Sequence, residues 1–238
     1  MKIALFSDIH ANLPALEALF RQLDSEPVDA VYCLGDLVGY HIWPNEVIAA
    51  IRARRIPVVM GNHDERAGRL VASGQTEGGA NYAYQLIDDA GRAYLKVLPA
   101  HLRLEYWVDG IRRDLLLVHG SPRRNDEYVL QDMAEGEAIT MMEEAGAAVL
   151  CVAHSHLPYH RIITAKGGEL YHIVNAGSVG KPKDGDPRGS YVVLDLSDGI
   201  RGLKVRFERV AYDVEKAAEA ILQSPLPDEL ADRLLNAY

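Results

Sequence analysis

The chain has 238 residues, with 25 Lys and Arg against 34 Asp and Glu, a formal charge of −9, and nine histidines. Apolar residues at 48% and charged residues at 25% describe an ordinary globular protein and exclude disordered, collagenous and coiled-coil classes. The acidic balance argues against a duplex-DNA binder, which needs a basic face, and no apolar run approaches the ~18–20 residues of a membrane span.

The length fits one domain over residues 1–238. Its first 62 residues repeat a unit of short apolar run, polar cluster and helical pattern. Lys2–Ser7 reads as a strand ending at Asp8-Ile9-His10, after which Leu13, Leu16, Leu19, Phe20 and Leu23 recur at helical spacing. Ala30–Leu34 is a second strand, closing at Gly35-Asp36; Pro44 then suits a first helical turn, and Val47, Ile48 and Ile51 continue an apolar face. Pro57–Met60 is a third strand, closing at Gly61-Asn62-His63-Asp64. Strands alternating with helices predict a parallel sheet with right-handed crossovers, whose ligands gather beyond the carboxyl ends of the strands.

From about 65 to 100 the pattern becomes helix-prone and Gly-interrupted, a helical insertion or cap carrying Tyr82, Tyr84 and Tyr94. Leu102–Val108, Asp109-Gly110 and Ile111–Val118 form a hairpin signal that ends at His119-Gly120. Gln131–Ala145 is helical and stops at Gly146. Ala147–Ala153 is a buried strand running into His154-Ser155-His156. Strands at Tyr159–Thr164, Glu169–Val174, Tyr191–Leu196 and about Leu203–Val210 follow, giving the second half an antiparallel flavour. Two helices, Asp213–Gln223 and from Asp228 onward, occupy 213–238. Cys33 and Cys151 lie in apolar runs and read as reduced thiols. The N-terminus carries no signal-peptide cleavage pattern, so the expected location is cytoplasmic.

Five polar clusters, each directly after an apolar strand, hold Asp8 and His10, Asp36, Asn62 and His63, His119, and His154 and His156. A lone Asp or His at a strand end is commonly a turn former. Here more than half of the histidines fall together with the carboxylates and amide that divalent cations accept, a donor mix suited to Mn, Fe, Zn, Ni or Co.

In that order and spacing, Asp8-Ile9-His10, Gly35-Asp36, Gly61-Asn62-His63-Asp64, His119-Gly120 and His154-Ser155-His156 resemble the five blocks of the calcineurin-like metallophosphoesterases. Asn175-Ala176-Gly177-Ser178-Val179-Gly180 is similar to a loop of their small prokaryotic, phosphodiesterase-like branch. Ala153 and Ala176 depart from the family's usual Gly and Pro, and neither replaces a ligand. The resemblance implies a four-layer α/β/β/α sandwich with mixed sheets. It places one metal on Asp8, His10, Asp36 and His156 and a second on Asp36, Asn62, His119 and His154, with the two oxygens of Asp36 each facing one cation. It also implies a binuclear phosphoesterase that cleaves phosphodiester or phosphomonoester bonds by in-line attack of a metal-bridging hydroxide. His63 would face the phosphate and protonate or stabilise the leaving oxygen.

A protein Ser/Thr phosphatase or dinucleoside-polyphosphate hydrolase shares the five blocks, and a non-catalytic binding module shares the fold. The expected partner is a phosphate ester, with nucleotides among the candidates, and neither a membrane nor a nucleic acid. A homodimer is the default oligomer. Lys181, Lys183 and Arg188 in the glycine-rich segment 177–189, and Arg123 and Arg124, either meet phosphate or sit on solvated loops. Tyr82, Tyr84, Tyr94, Trp43 and His41 either line a cleft or pack in cores, while His101, His160 and His172 read as structural.

Overall fold

Successive residues of the first strand, β1 (Lys2–Phe6), are buried on opposite faces: Ala4 and Phe6 join one apolar cluster, Ile3 and Leu5 another. A strand apolar on both faces must be covered on both, and that requirement sets the layers. The computed structural model describes residues 1–69, 79, 81–108 and 111–238. After β1 come α1 (Leu13–Leu23), β2 (Ala30–Cys33), α2 (Pro44–Ala53), α3 (Asn62–Arg69), α4 (Tyr82–Gln85) and α5 (Asp89–Leu95). Next are β3 (His101–Val108), β4 (Ile111–Val118), α6 (Glu135–Ala145), β5 (Val149–Val152), β6 (Tyr159–Thr164) and β7 (Leu170–Asn175). The last four are β8 (Gly189–Asp195), β9 (Lys204–Val210), α7 (Val214–Leu222) and α8 (Glu229–Asn236).

The strands form two mixed sheets, ordered β2-β1-β8-β9 and β3-β4-β5-β7-β6. Three apolar clusters glue four layers together. Leu16, Leu19, Ile48 and Ile51 of α1 and α2 pack on Phe6, Tyr191 and Val193 of the first sheet. Ile3, Leu5, Val192 and Leu194 meet Leu115, Leu117, Val149 and Cys151 between the sheets. Leu116, Val118, Leu150 and Val152 face Ala138, Met141 and Met142 of α6 on the far side. The arrangement is the expected α/β/β/α sandwich, with period-2 alternation in β1, β4, β5 and β8 deciding which residue enters which interface. A fourth cluster joins α7 and α8 to Ala83, and Tyr40 and Ile42 pack against it.

Several sequence expectations are corrected. Pro57–Met60 pairs with β2 through one parallel bridge, Cys33 with Val58. It then leaves the sheet, because the Met60 N–H donates to the Pro99 carbonyl at 2.7 Å. The helix expected from Gln131 begins only at Glu135. The Arg161 guanidinium takes the carbonyls of Gln131 and Met133, at 3.1 and 2.5 Å, which a helix would need for itself. Nor is the second half uniformly antiparallel: β5 runs parallel to both β4 and β7, with α6 as the crossover between β4 and β5. The insertion is helical in α3, α4 and α5; part of it, 70–78 and 80, and the expected hairpin turn at 109–110 lie outside the described residues. Among the described residues no helix is long and apolar enough to cross a membrane.

Leu5 is fully buried between the sheets. Leu5→Ala should lower the unfolding free energy by about 2–5 kcal/mol in urea titration, and a loss below about 1 kcal/mol would show that the two sheets do not share a close-packed core.

Candidate metal centre

Asp8 and His10 follow β1, Asp36 follows β2, Asn62 and His63 open α3, His119 follows β4, and His154 and His156 follow β5. The group therefore sits across the carboxyl ends of strands from both sheets. Turning a side chain sharply off a strand end into one shared point demands unusual backbone. Asp8, His10, Asp36, His154 and His156 all have left-handed φ, between 51° and 65°. Each such residue costs of order 1–3 kcal/mol and persists only where its surroundings over-determine it.

Those surroundings are backbone clasps. The Asp8 N–H donates to the Gly35 carbonyl and the His10 N–H to the Asp36 carbonyl, both at 3.0 Å. The Asp8 carbonyl accepts from Ser178 Oγ at 2.7 Å and from the Gly180 N–H at 3.0 Å, so the loop after β7 braces the first cluster. Asp64 clasps two others: its carboxylate accepts the N–H groups of Asp36 (2.8 Å), Leu37 (2.9 Å) and Gly61 (3.1 Å). A Cβ on Gly61 would lie 2.0 Å from Asp36 Oδ1, so only glycine allows this approach. Ala153 and Ala176 are buried in the inter-sheet cluster, and their methyl groups are accommodated there.

All seven expected ligands and His63 are brought together. Potential donors group as Asp8, His10 and His156, as Asp36, His119 and His154, and also as His10, Asp36 and His63, with donor atoms in each group within 4.8 Å of one another. Asn62 Oδ1 lies 3.1 Å from His119 Nε2. Asp36 lies between the groups through one oxygen rather than two: Oδ2 is 3.3 Å from His119 Nε2 and 3.7 Å from His10 Nε2, while Oδ1 accepts the His63 backbone N–H at 2.8 Å.

The histidine tautomers follow from their backbone partners. Nδ1 of His10, His119 and His156 donates to the carbonyls of Val38 (3.0 Å), Leu34 (2.8 Å) and Lys181 (2.5 Å), which turns each Nε2 inward. Burial pushes the His10 pKa down to about 3, so its Nε2 presents a lone pair. That atom faces His156 Nε2 at 3.3 Å. Beside them, 3.1 Å from His156 Nε2, the buried Asp8 Oδ1 has no hydrogen-bond partner. Burial disfavours charge on His119, yet the adjacent Asp36 carboxylate raises its pKa to about 10, a measure of the negative field there. The inward lone pair of His10, an orphaned carboxylate oxygen and a field that attracts positive charge fit divalent cations.

Asp8, His10, Asp36, His119 and His156 are buried, whereas Asn62, His63 and His154 are partly exposed and form the accessible rim. The Tyr84 hydroxyl of the insertion and His63 Nδ1 share a hydrogen bond at 2.5 Å; in the Nε2–H tautomer of the neutral ring the hydroxyl donates and Nε2–H is left as a donor. Gly39, with φ of +96°, makes room: a Cβ there would meet His63 Nδ1 at 2.7 Å. The Tyr40 ring packs 4.7 Å from His10 and 4.8 Å from His63, and the half-exposed Tyr128 stacks 4.3 Å from His154. Of the other aromatic candidates, His41 donates from Nδ1 to the His10 carbonyl at 2.8 Å, while Tyr82 and Tyr94 pack in apolar clusters. Arg123 and Arg124 pair with Glu127 and Asp126, and Arg188 with Asp186. His160 and His172 stack on each other away from the centre.

The roles of Asp64, Tyr40 and Tyr128 were missed by sequence reasoning. Asp64 had a signal in its place beside Asn62 and His63; Tyr128 had none.

A calcineurin-like phosphoesterase superfamily domain matches residues 1–199. An uncharacterised protein of Methanocaldococcus jannaschii is 31% identical over 250 aligned positions, covering 98% of this chain and 96% of that one. A metallophosphoesterase structure from Sphaerobacter thermophilus superposes with TM-score 0.80 at 29% identity, covering 100% and 99% of the two chains. A Pyrococcus horikoshii protein of the same fold gives TM-score 0.82 at 24% identity, covering 98% and 97%. The chain belongs to the calcineurin-like phosphoesterase superfamily, whose metallophosphoesterases use divalent metals.

Asp64→Ala should strip three buried N–H groups of their acceptor and cost about 3–5 kcal/mol in denaturant unfolding of the metal-free chain, with Asp64→Asn recovering part. A loss under about 1 kcal/mol would show that Asp64 is not the clasp between these loops.

Proposed function

We propose that the chain is a phosphate-ester hydrolase working with two divalent cations, one held by Asp8, His10, Asp36 and His156, the other by Asp36, Asn62, His119 and His154. The observation that carries this reading is the facing pair of His10 and His156 Nε2 atoms, 3.3 Å apart beside the orphaned Asp8 Oδ1. Two such ions supply Lewis-acid stabilisation of phosphoryl oxygens and lower the pKa of water enough for attack near neutral pH.

The chain's own residues do the rest. Asp36 joins the two groups through Oδ2 and is held in place by the His63 N–H and by Asp64's grip on its backbone. His63 presents Nε2–H at the rim, where it can donate to a leaving oxygen, a role typically worth ~10²–10⁴ in rate. Burial lowers the His63 pKa against the pull of Asp36, which favours the neutral donor. Tyr84 is a positioning residue: it fixes the His63 tautomer from Nδ1. The free, buried thiols of Cys33 and Cys151 suit the reducing cytoplasm.

The test is a screen of aryl phosphodiester, aryl phosphomonoester, cyclic nucleotide and phosphopeptide hydrolysis after reconstitution with Mn, Fe, Zn, Ni or Co. Hydrolysis of a diester or monoester that chelators abolish is expected; no turnover with any ion would overturn the reading. Asp36→Asn should lower the content of both ions together in elemental analysis, whereas loss of one alone would remove Asp36 from the shared position. His63→Ala should keep its metal and lose ~10²–10⁴ of kcat. Tyr84→Phe should slow alkyl esters about 10-fold more than p-nitrophenyl esters, whose leaving group departs without a proton; equal slowing of both would mean a purely structural role.

A further inference from the structure

Two lysines and an arginine gather beside the metal centre without belonging to it. Lys181 is 2% exposed, and among the described residues its Nζ has neither a hydrogen-bond acceptor nor an ion-pair partner. Its backbone is occupied, the N–H donating to Ser178 Oγ and the carbonyl accepting from His156 Nδ1. The ammonium lies over the Tyr40 ring, 4.9 Å from its centroid, and the same ring packs beside His10 and His63. Lys183, two residues on, is partly buried and likewise forms no ion pair among the described residues.

Arg233 comes from α8. One guanidinium nitrogen binds Glu229, but its Nε is buried without a partner. The end of that helix is tied to the lysine loop, since the Gly185 N–H donates to the Ala237 carbonyl at 3.0 Å. The charges of Lys183 and Arg233 act on the Lys181 ammonium against the opposing pull of Asp8 and Glu229. Three cations whose charges act on one another, one of them on a buried residue and without an ion-pair partner among the described residues, are costly to keep unless an anion completes them. Arg188, on the same loop, is spent on Asp186 and is not part of the group.

The scissile phosphate does not account for this charge. That phosphate belongs at the ligand cluster and the rim of Asn62, His63 and His154, whereas the Lys181 ammonium lies over the Tyr40 ring and bonds none of these residues. We propose that Lys181, Lys183 and Arg233 form a subsite for a second phosphate group, so that the substrate is a small bisphosphorylated molecule. The inference rests on the phosphoesterase reading above and adds its substrate class. Arg233 lies beyond residues 1–199, the part matched by the superfamily domain, so this subsite is built in part from chain outside that domain.

The test is calorimetric binding of propane-1,3-diyl bisphosphate and of propyl phosphate to the full chain loaded with Mn²⁺. The bisphosphate should bind at least about 10-fold more tightly. Lys183→Gln and Arg233→Gln, both at positions exposed enough to fold, should each cut that ratio at least about 3-fold, and Lys181→Gln should cut it most. Equal affinity for the two probes, or a ratio that none of the variants changes, overturns the subsite. A bisphosphate preference without hydrolysis of any ester keeps the subsite and removes the esterase reading. Hydrolysis without the preference does the reverse.

Discussion

Two buried carboxylates, Asp8 and Asp36, sit where the ends of two sheets meet, and the rest of the architecture answers to them. Neither could stay ionised in so dry a place without compensation, and burial is the largest influence on both. The histidines around them are the compensation, and three of them, His10, His119 and His156, are turned inward by a backbone carbonyl that takes the other nitrogen. Bringing the five strand-end residues to one point also fixes their left-handed backbone. That strain is absorbed by the Ser178 and Gly180 brace on Asp8 and by the Asp64 clasp.

The layers supply the stiffness such a site requires. Because β1 and β8 are apolar on both faces, the first sheet is held by helices behind and by the second sheet in front, and its strand ends cannot drift from those of β4 and β5. The clusters that position Asp8 and His119 are thus the same clusters that make the protein fold.

Much of this was legible in the sequence. The continuous apolar run in Lys2–Phe6, and polar residues at each strand end, identified the elements that carry the site, and the order of the five motifs identified the superfamily. What was not legible depends on partners distant in the chain. Pro57–Met60 has strand-like residues but is drawn off by the carbonyl of Pro99. Residues 131–134 have helical spacing but surrender their carbonyls to Arg161. The single-oxygen placement of Asp36 depends on the His63 N–H occupying the other oxygen, which no spacing rule encodes. Tyr84 and Arg233 come from helices docked through one apolar cluster, in which Ala83 meets Ala217, Ala218, Ile221, Leu230 and Leu234, residues that carry no motif of their own.

Tyr40 touches both parts of the molecule, packing against the α7 and α8 cluster while its ring stands beside His10 and His63. The expected ligands and His63 lie between positions 8 and 156, and α7 and α8, against which Tyr40 packs, lie after 199. Such a division lets the two evolve at different rates. A lineage can rewrite its last forty or so residues, and with them the packing around Tyr40, while the buried carboxylates and the strained strand ends stay untouched.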